Sequence, residues 1–190
     1  MLDEGEIHLV MEYMDCGSLE TIIAVEKQCQ NPADRLIKAL IPEFVIARFA
    51  WHILQALNHL HNERKQIHRD IKPDNILVES TLGIAKLSDF GISKQFRDGN
   101  HSPAMNEHTR TYTGTLCYMS PERLQSLDYS YPSDIWSLGV MLYEMATGQH
   151  PFPRTDFPIE IHNHIQQNPP PSLIGSPMVS IECADFISRW

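Results

Sequence analysis

Residues able to do chemistry crowd together near the middle of the chain. Asp70, Lys72 and Asn75 lie within His68-Arg69-Asp70-Ile71-Lys72-Pro73-Asp74-Asn75, and Asp89-Phe90-Gly91 follows a short way on. A carboxylate such as Asp70 or Asp89 accepts a proton or, with the side-chain oxygen of Asn75, ligates a hard divalent cation, while Lys72 supplies positive charge. The plainer alternative is that Asp and Asn only form turns, and for an isolated Asp-Phe-Gly that alternative is preferable. Here the triplet is not isolated. His-Arg-Asp, the Asn five positions beyond the Asp, Asp-Phe-Gly, Ser120-Pro121-Glu122 and Asp134-Ile135-Trp136 all occur in one order.

These residues must be placed by the elements around them. Ile7-His8-Leu9-Val10-Met11 is a short apolar run that predicts a buried strand, broken by Asp15-Cys16-Gly17-Ser18, with Ser18 able to cap a short helix. From Pro42, apolar residues at Ile46, Ala50, Ile53, Leu57 and Leu60 have amphipathic-helix spacing, ending near His61-Asn62. Ile76-Leu77-Val78 and Ala85-Lys86-Leu87, joined by Ser80-Thr81-Leu82-Gly83, read as a hairpin. After a long polar stretch from Ser93 to Thr115, Ser133 is expected to cap a helix from Asp134 to Thr147 that is apolar nearly all round, with Gly148 as its stop. A helix is expected from about Phe157 to Gln167, and another from Ile181 through Trp190, where no stop signal appears.

Composition narrows the classes. With 190 residues, 42% hydrophobic and 21% charged, the chain can bury a substantial core. A formal charge of −9 without a Lys/Arg-rich run argues against nucleic acid or an anionic membrane surface as partner. Cys16, Cys29, Cys117 and Cys183 are widely spaced and suggest neither a zinc site nor a disulfide framework, which fits a reducing compartment. No apolar run approaches the roughly 18 residues of a membrane span, and Met1 to Glu6 lack signal-peptide features. Cytoplasm or nucleus is the expected location.

Taken together, the motifs resemble the catalytic signature of eukaryotic protein kinases. That resemblance implies an α+β, protein kinase-like fold, mainly the α-helical C-lobe with the hinge strand and a small catalytic-loop β hairpin. Residues 1–17 would form the last N-lobe strand and the hinge, and 18–190 the C-lobe. ATP and Mg²⁺ would be the cofactors. Asp70 would accept the proton of a protein hydroxyl, Lys72 would place charge on the transferring phosphate, and Asn75 and Asp89 would ligate Mg²⁺. Thr115 would tie to Asp70 and Lys72, and Asp134 would anchor the catalytic loop from the central helix. At the adenine site the resemblance gives Met11 as gatekeeper, Glu12-Tyr13-Met14 as hinge, Leu77 beneath the purine and Ser18 near the ribose. Leu77 alone would read as core packing; its register with the catalytic loop promotes it.

Lys72 after Ile71, with Thr115, resembles the serine/threonine pattern. Met11-Glu12-Tyr13-Met14-Asp15-Cys16-Gly17-Ser18-Leu19 and the stretch from Gly114 to Leu124 look like the hinge and activation-segment end of MAP kinase kinases, though Ste-type and Nek-type kinases share parts of both. This likeness implies transfer to Thr and Tyr of a MAP kinase. It also implies an upstream kinase acting on Thr109, Thr111 or Thr113, Thr111 foremost, with Arg69 and Lys94 as cations for the phosphate. Lys94 after Ser93 departs from the family pattern, as does the lack of docking tails.

The sequence contains no G-x-G-x-x-G loop, no V-A-I-K lysine and no partner glutamate for it. The chain alone is therefore expected to be inactive and poorly soluble, with an exposed hinge strand and exposed Phe186 and Ile187. A second class stands beside the enzyme: a truncated, non-catalytic kinase fragment serving as a scaffold. His162 and His164 fall on different faces of their helix and suit solvated side chains better than metal ligands, and Pro169-Pro170-Pro171 suits a connector between helices.

Overall fold

The computed structural model describes residues 2–3, 6–7, 10–31, 34, 37–89, 94–95, 116–155 and 157–189. The expected functional residues Thr109, Thr111, Thr113 and Thr115, with Phe90 and Gly91, lie outside the described residues.

Its centre is α4 (Pro132–Thr147), whose Leu138, Val140, Met141, Leu142, Met145 and Ala146 are all buried. A helix apolar on nearly every side has no solvent face to offer, so it becomes the element on which the others pack. Pro132 occupies the first turn, where its missing N–H costs nothing, and Gly148 ends the helix in the left-handed region at φ 70°, donating its N–H to Glu144 O at 2.7 Å. Ser133, expected as the cap, is instead buried inside the first turn. Its hydroxyl donates to Glu122 Oε1 at 2.8 Å, because that tertiary acceptor competes with the local backbone for it.

Against α4 lies α2 (Glu43–Asn58), which turns Ile46, Phe49, Ala50, Ile53 and Leu57 inward at the expected spacing. Each such side chain contributes roughly 1.5–3 kcal/mol on burial. The helix runs on as a π turn, His59–Glu63, rather than stopping at His61. The predicted hairpin is β4 (Ile76–Glu79) with β5 (Ile84–Leu87), antiparallel in the register Ile76↔Leu87 to Glu79↔Ile84. Arg48 of α2 fastens its turn by donating to Gly83 O at 3.0 Å and Leu82 O at 2.6 Å. Two further antiparallel pairs are β1 (Leu2–Asp3) with β2 (Glu6–Ile7) and β3 (Gln66–Ile67) with β6 (Lys94–Gln95). α1 (Leu19–Cys29), capped by Ser18 as expected, packs over β4. The short α3 (Pro121–Leu124) lies against α5 (Pro158–Gln167), and α6 (Ile181–Ile187) against α4.

Two expectations change. Among the described residues of the expected hinge strand, Glu6–Ile7 is strand, and Val10 and Met11 are 95% and 69% exposed instead of buried. Burying both faces of an extended segment takes neighbours on each side, and β1 is the one strand beside β2 among the described residues. The last helix stops at Ile187 rather than continuing to Trp190, its end closed by Ser188 N–H on Ala184 O at 3.0 Å. Ile187 is buried through contact with the core, leaving only Phe186 half-exposed.

Candidate active site

The loop from His68 to Asn75 is pinned by apolar anchors on its flanks and within it: Ile67, Ile71 and Ile76 are all fully buried. Its first turn needs more than packing, because Arg69 adopts φ 76°, a left-handed conformation that non-glycine residues hold at some cost. Asp134 supplies the compensation from α4. Its Oδ2 accepts the His68 N–H at 2.8 Å and its Oδ1 the Arg69 N–H at 2.9 Å. His61 Nε2 lies 2.8 Å from the same Oδ2, its ring stacked on Tyr131 at 4.6 Å. One buried carboxylate thus gathers two backbone donors and an imidazole. The anchoring geometry expected of Asp134 is present.

Downstream of that turn, Asp70, Lys72 and Asn75 come together. Asp70 Oδ2 faces Lys72 Nζ at 3.0 Å and Asn75 Nδ2 at 2.9 Å, and the same amide nitrogen donates to Asp70 O at 2.8 Å. Asp70 Oδ1 is buried and finds no hydrogen-bond partner among the described residues. An orphaned carboxylate oxygen is costly in the interior, so its persistence beside a fully engaged Oδ2 marks an acceptor held ready for a donor from outside.

His68 closes the loop from behind. Its Nε2 lies 3.0 Å from Ser88 O, and its Nδ1 accepts the Asp70 N–H at 3.4 Å, which selects the tautomer protonated at Nε2. Burial pushes its imidazole below the ordinary 6.5, against the opposing pull of Asp134, and keeps the ring neutral. Ser88 donates to Asn75 O through its N–H at 2.9 Å and its hydroxyl at 3.0 Å, tying the start of the Asp-Phe-Gly segment to the catalytic loop. Asp89 comes next, exposed and at φ 60°, a second strained non-glycine residue within the same site.

The donor chemistry fits a hard cation. Asn75 spends its amide nitrogen on Asp70, which leaves its side-chain oxygen as the free end, and Asp89 offers an exposed carboxylate. Among the described residues no cluster of three or more His, Cys, Asp or Glu is built to hold a metal. A two-ligand site of this kind suits Mg²⁺, which keeps waters and substrate phosphates in the rest of its shell.

On the nucleotide side, residues 16–18 run antiparallel to β4: Cys16 donates to Val78 O at 3.1 Å and Val78 to Gly17 O at 2.9 Å, with Ser18 bridged to Leu77. Leu77 is half-buried and lies on the strand face opposite the buried Ile76 and Val78. Met14 is buried. Glu12 is exposed and pairs with Lys86 of β5 at 2.5 Å. The Ser18 hydroxyl already caps α1, 3.4 Å from Thr21 N and 3.2 Å from Thr21 Oγ1.

One cluster was not foreseen. Glu144 of α4, fully buried, accepts from Lys27 Nζ at 3.0 Å, Arg154 Nη2 at 2.7 Å and the Tyr118 hydroxyl. Burial works to raise its carboxyl, yet Tyr118, Lys27 and Arg154 outweigh it and hold the group below its ordinary value. Lys27 and Glu144 stand 117 positions apart, and no local pattern announces such a pair. His162, expected to be solvated, has its ring 2.9 Å from Gln125 Nε2, and His164 packs edge-on to Phe152 at 6.3 Å.

A neutral His68 stands behind the strained turn, Asp70, Lys72 and Asn75 share contacts in front of it, and the protein kinase domain model matches residues 1–190. The chain belongs to the protein kinase domain family. It is similar to Mitogen-activated protein kinase kinase 3 of Arabidopsis thaliana, 40% identical over 90% of this chain and 29% of that protein. It is 38% identical to Dual specificity mitogen-activated protein kinase kinase dSOR1 of Drosophila melanogaster, over 97% of this chain and 47% of the relative. Against Mitogen-activated protein kinase kinase 1c of Physcomitrium patens it is 45% identical over 78% of the chain and 37% of the relative. The chain therefore spans less than half the length of these curated relatives.

Proposed function

We propose that the protein carrying this chain transfers the γ-phosphoryl group of ATP to hydroxyls of a protein substrate, Thr and Tyr of a MAP kinase. The buried, unpartnered Oδ1 of Asp70 carries the reading. A substrate hydroxyl that donates to this oxygen is held in line for attack and loses its proton there, a base function worth roughly 10²–10⁴-fold. Lys72, tied to Oδ2 at 3.0 Å, brings its positive charge to the transferring group. Asn75 and Asp89 would hold Mg²⁺, which when bound neutralises charge on the nucleotide phosphates. Residues 1–17 would serve as last N-lobe strand and hinge, Met11, Glu12 and Met14 lining the adenine edge, Leu77 lying beneath the purine and Ser18 near the ribose through whatever hydrogen-bonding capacity its cap leaves free. Thr115 would orient Asp70 and Lys72, and phosphorylation of Thr109, Thr111 or Thr113 by an upstream kinase would switch the enzyme on, Arg69 receiving the phosphate.

The similarity to three MAP kinase kinases supports the substrate class, and retention of Asp70, Lys72, Asn75 and Asp89 in one site favours the enzyme over a scaffold. The test is to incubate the complete protein with Mg·ATP and a recombinant MAP kinase, then map phosphate by mass spectrometry. Incorporation at the Thr and Tyr of the substrate's activation loop is expected; a complete, folded protein that modifies no protein hydroxyl would overturn the reading.

A further inference from the structure

Asp134 is not alone in holding the strained turn at Arg69. Arg123 of α3, outside the set of residues picked from the sequence, reaches the same turn: its Nη1 donates to Arg69 O at 2.6 Å, and its guanidinium carbon lies 5.5 Å from the centre of the Tyr129 ring. The carbonyl it holds belongs to the peptide that joins Arg69 to Asp70. The N–H of that peptide lies 3.4 Å from His68 Nδ1. Asp134 fixes the two preceding peptides through the N–H groups of His68 and Arg69. Three consecutive peptide planes leading to Asp70 are therefore each held by a side chain. A non-glycine residue at φ 76° relaxes through whichever neighbouring plane is free to turn, and the last of these planes is the one that aims Asp70. The two holders are themselves joined, because Glu122, beside Arg123, accepts the hydroxyl of Ser133, beside Asp134, at 2.8 Å. Burial lowers Arg123 from its ordinary 12.5 and the charge of Arg69 adds to this, while Tyr129, Asp134 and Asp70 act in the opposite direction. Among the described residues no carboxylate stands at ion-pair distance from Arg123, so its charge is spent on the backbone carbonyl.

We propose that Arg123 is a positioning residue for the transfer step: by holding Arg69 O it fixes the peptide plane from which Asp70 projects, and with it the direction of Oδ1. The inference rests on the kinase reading for its catalytic consequence and on the geometry alone for its structural one. Leu77 and Asp89 meet the nucleotide side of the site from outside this turn, so loss of Arg123 should appear in the rate of transfer and not in nucleotide affinity. The rate is sensitive because a displacement of about 1 Å at a reacting group can cost about 10²-fold.

The test uses the complete protein with a recombinant MAP kinase as substrate, rates being counted per nucleotide-binding site so that unfolded molecules drop out. Arg123→Met, which keeps the stem and loses the donor, should lower kcat about tenfold or more and leave the KM for ATP within about twofold. Arg123→Lys, which keeps a charged donor and loses the planar fork, should recover part of that loss. Native-state hydrogen exchange reads the geometry without any turnover: in Arg123→Met the Asp70 amide should lose about tenfold or more of its protection, with α2 little changed. Should Arg123→Met fail to fold, Arg123→Gln decides by the same two readouts, since its shorter, neutral amide falls short of Arg69 O. A folded variant whose kcat and Asp70 exchange both stay within about twofold of wild type overturns the proposal. So does a variant that loses kcat and nucleotide affinity together, with no recovery in Arg123→Lys, because that pattern marks general loosening of the fold. A wild-type protein without turnover would sink the kinase reading instead, and the exchange at Asp70 would then decide alone whether Arg123 holds the turn.

Discussion

Replacing Asp134 with Asn changes almost nothing in size and nearly everything in hydrogen bonding. The carboxylate accepts the His68 N–H at 2.8 Å, the Arg69 N–H at 2.9 Å and His61 Nε2 at 2.8 Å, all at a residue 1% exposed. An amide offers one oxygen. Whichever way it is turned, its NH₂ faces at least one backbone N–H, leaving a buried donor unsatisfied at about 1–3 kcal/mol. The surviving contacts lose their charge assistance, so the whole change should reach about 3–4 kcal/mol. Because Arg69 sits at φ 76° only while both its flanking amides are held, the loss should concentrate in the catalytic loop. Native-state hydrogen exchange on the complete protein reads this directly: protection at the His68 and Arg69 amides should fall by roughly 10²–10³-fold, with exchange in α2 little changed. A fall of less than about threefold at these two amides would refute the claim that Asp134 holds the turn.

Three further outcomes follow from the packing. Glu144→Gln strips the charge that pairs Lys27 and Arg154, whose side chains are 31% and 51% exposed and so partly screened by water, and should cost about 1–3 kcal/mol by denaturant unfolding at pH 7, with an unchanged slope. The wild-type Glu144 contribution is complete above the ordinary value of 4.5 and is lost as pH falls through the lower folded value, so the variant should show a flatter acid limb. Burial pushes His150 down to about 4 from 6.5, so its neutral form is the folded one. Stability should drain away as pH falls below 6.5, by on the order of 1–2 kcal/mol at pH 5, and His150→Gln should remove that slope in denaturant melts taken from pH 7 to 5. Gly148→Ala forces a side chain into φ 70° with its Cβ 3.3 Å from Leu40 Cδ2, and a loss of about 1–2 kcal/mol is expected from thermal unfolding.

Much of the site was legible because its signals are local. The Asp70-to-Asn75 spacing needs only one loop and one 3-10 turn, Pro73–Asn75, and the hairpin announces itself through Ser80-Thr81-Leu82-Gly83 between two β-rich runs. The central helix was equally plain from its apolar content and Gly148. What stayed hidden depends on partners distant in sequence. Ser133 looked like a cap because a serine before an apolar run usually is one, and only the fold brings Glu122 within reach of its hydroxyl. Glu144 is a polar residue in an otherwise apolar helix, and only the fold brings Lys27, Arg154 and Tyr118 to it. Hydrophobicity alone predicts burial of Val10 and Met11, but it reports what a segment would gain from burial and not whether neighbours exist to provide it. Arg123 was legible only as part of the Ser120-to-Leu124 motif, and its place over Tyr129 belongs to the fold.

The account turns on Asp70 Oδ1 as the acceptor of a substrate proton. Single-turnover phosphorylation of a MAP kinase by the complete protein, wild type against Asp70→Asn at saturating Mg·ATP, measures that most directly. The variant keeps a neutral isostere within reach of Lys72 and Asn75, so nucleotide affinity should change little while the transfer rate falls by roughly 10²-fold or more. A transfer rate within about threefold of wild type, with nucleotide binding unchanged, would contradict the assignment of Asp70 and with it the site as described.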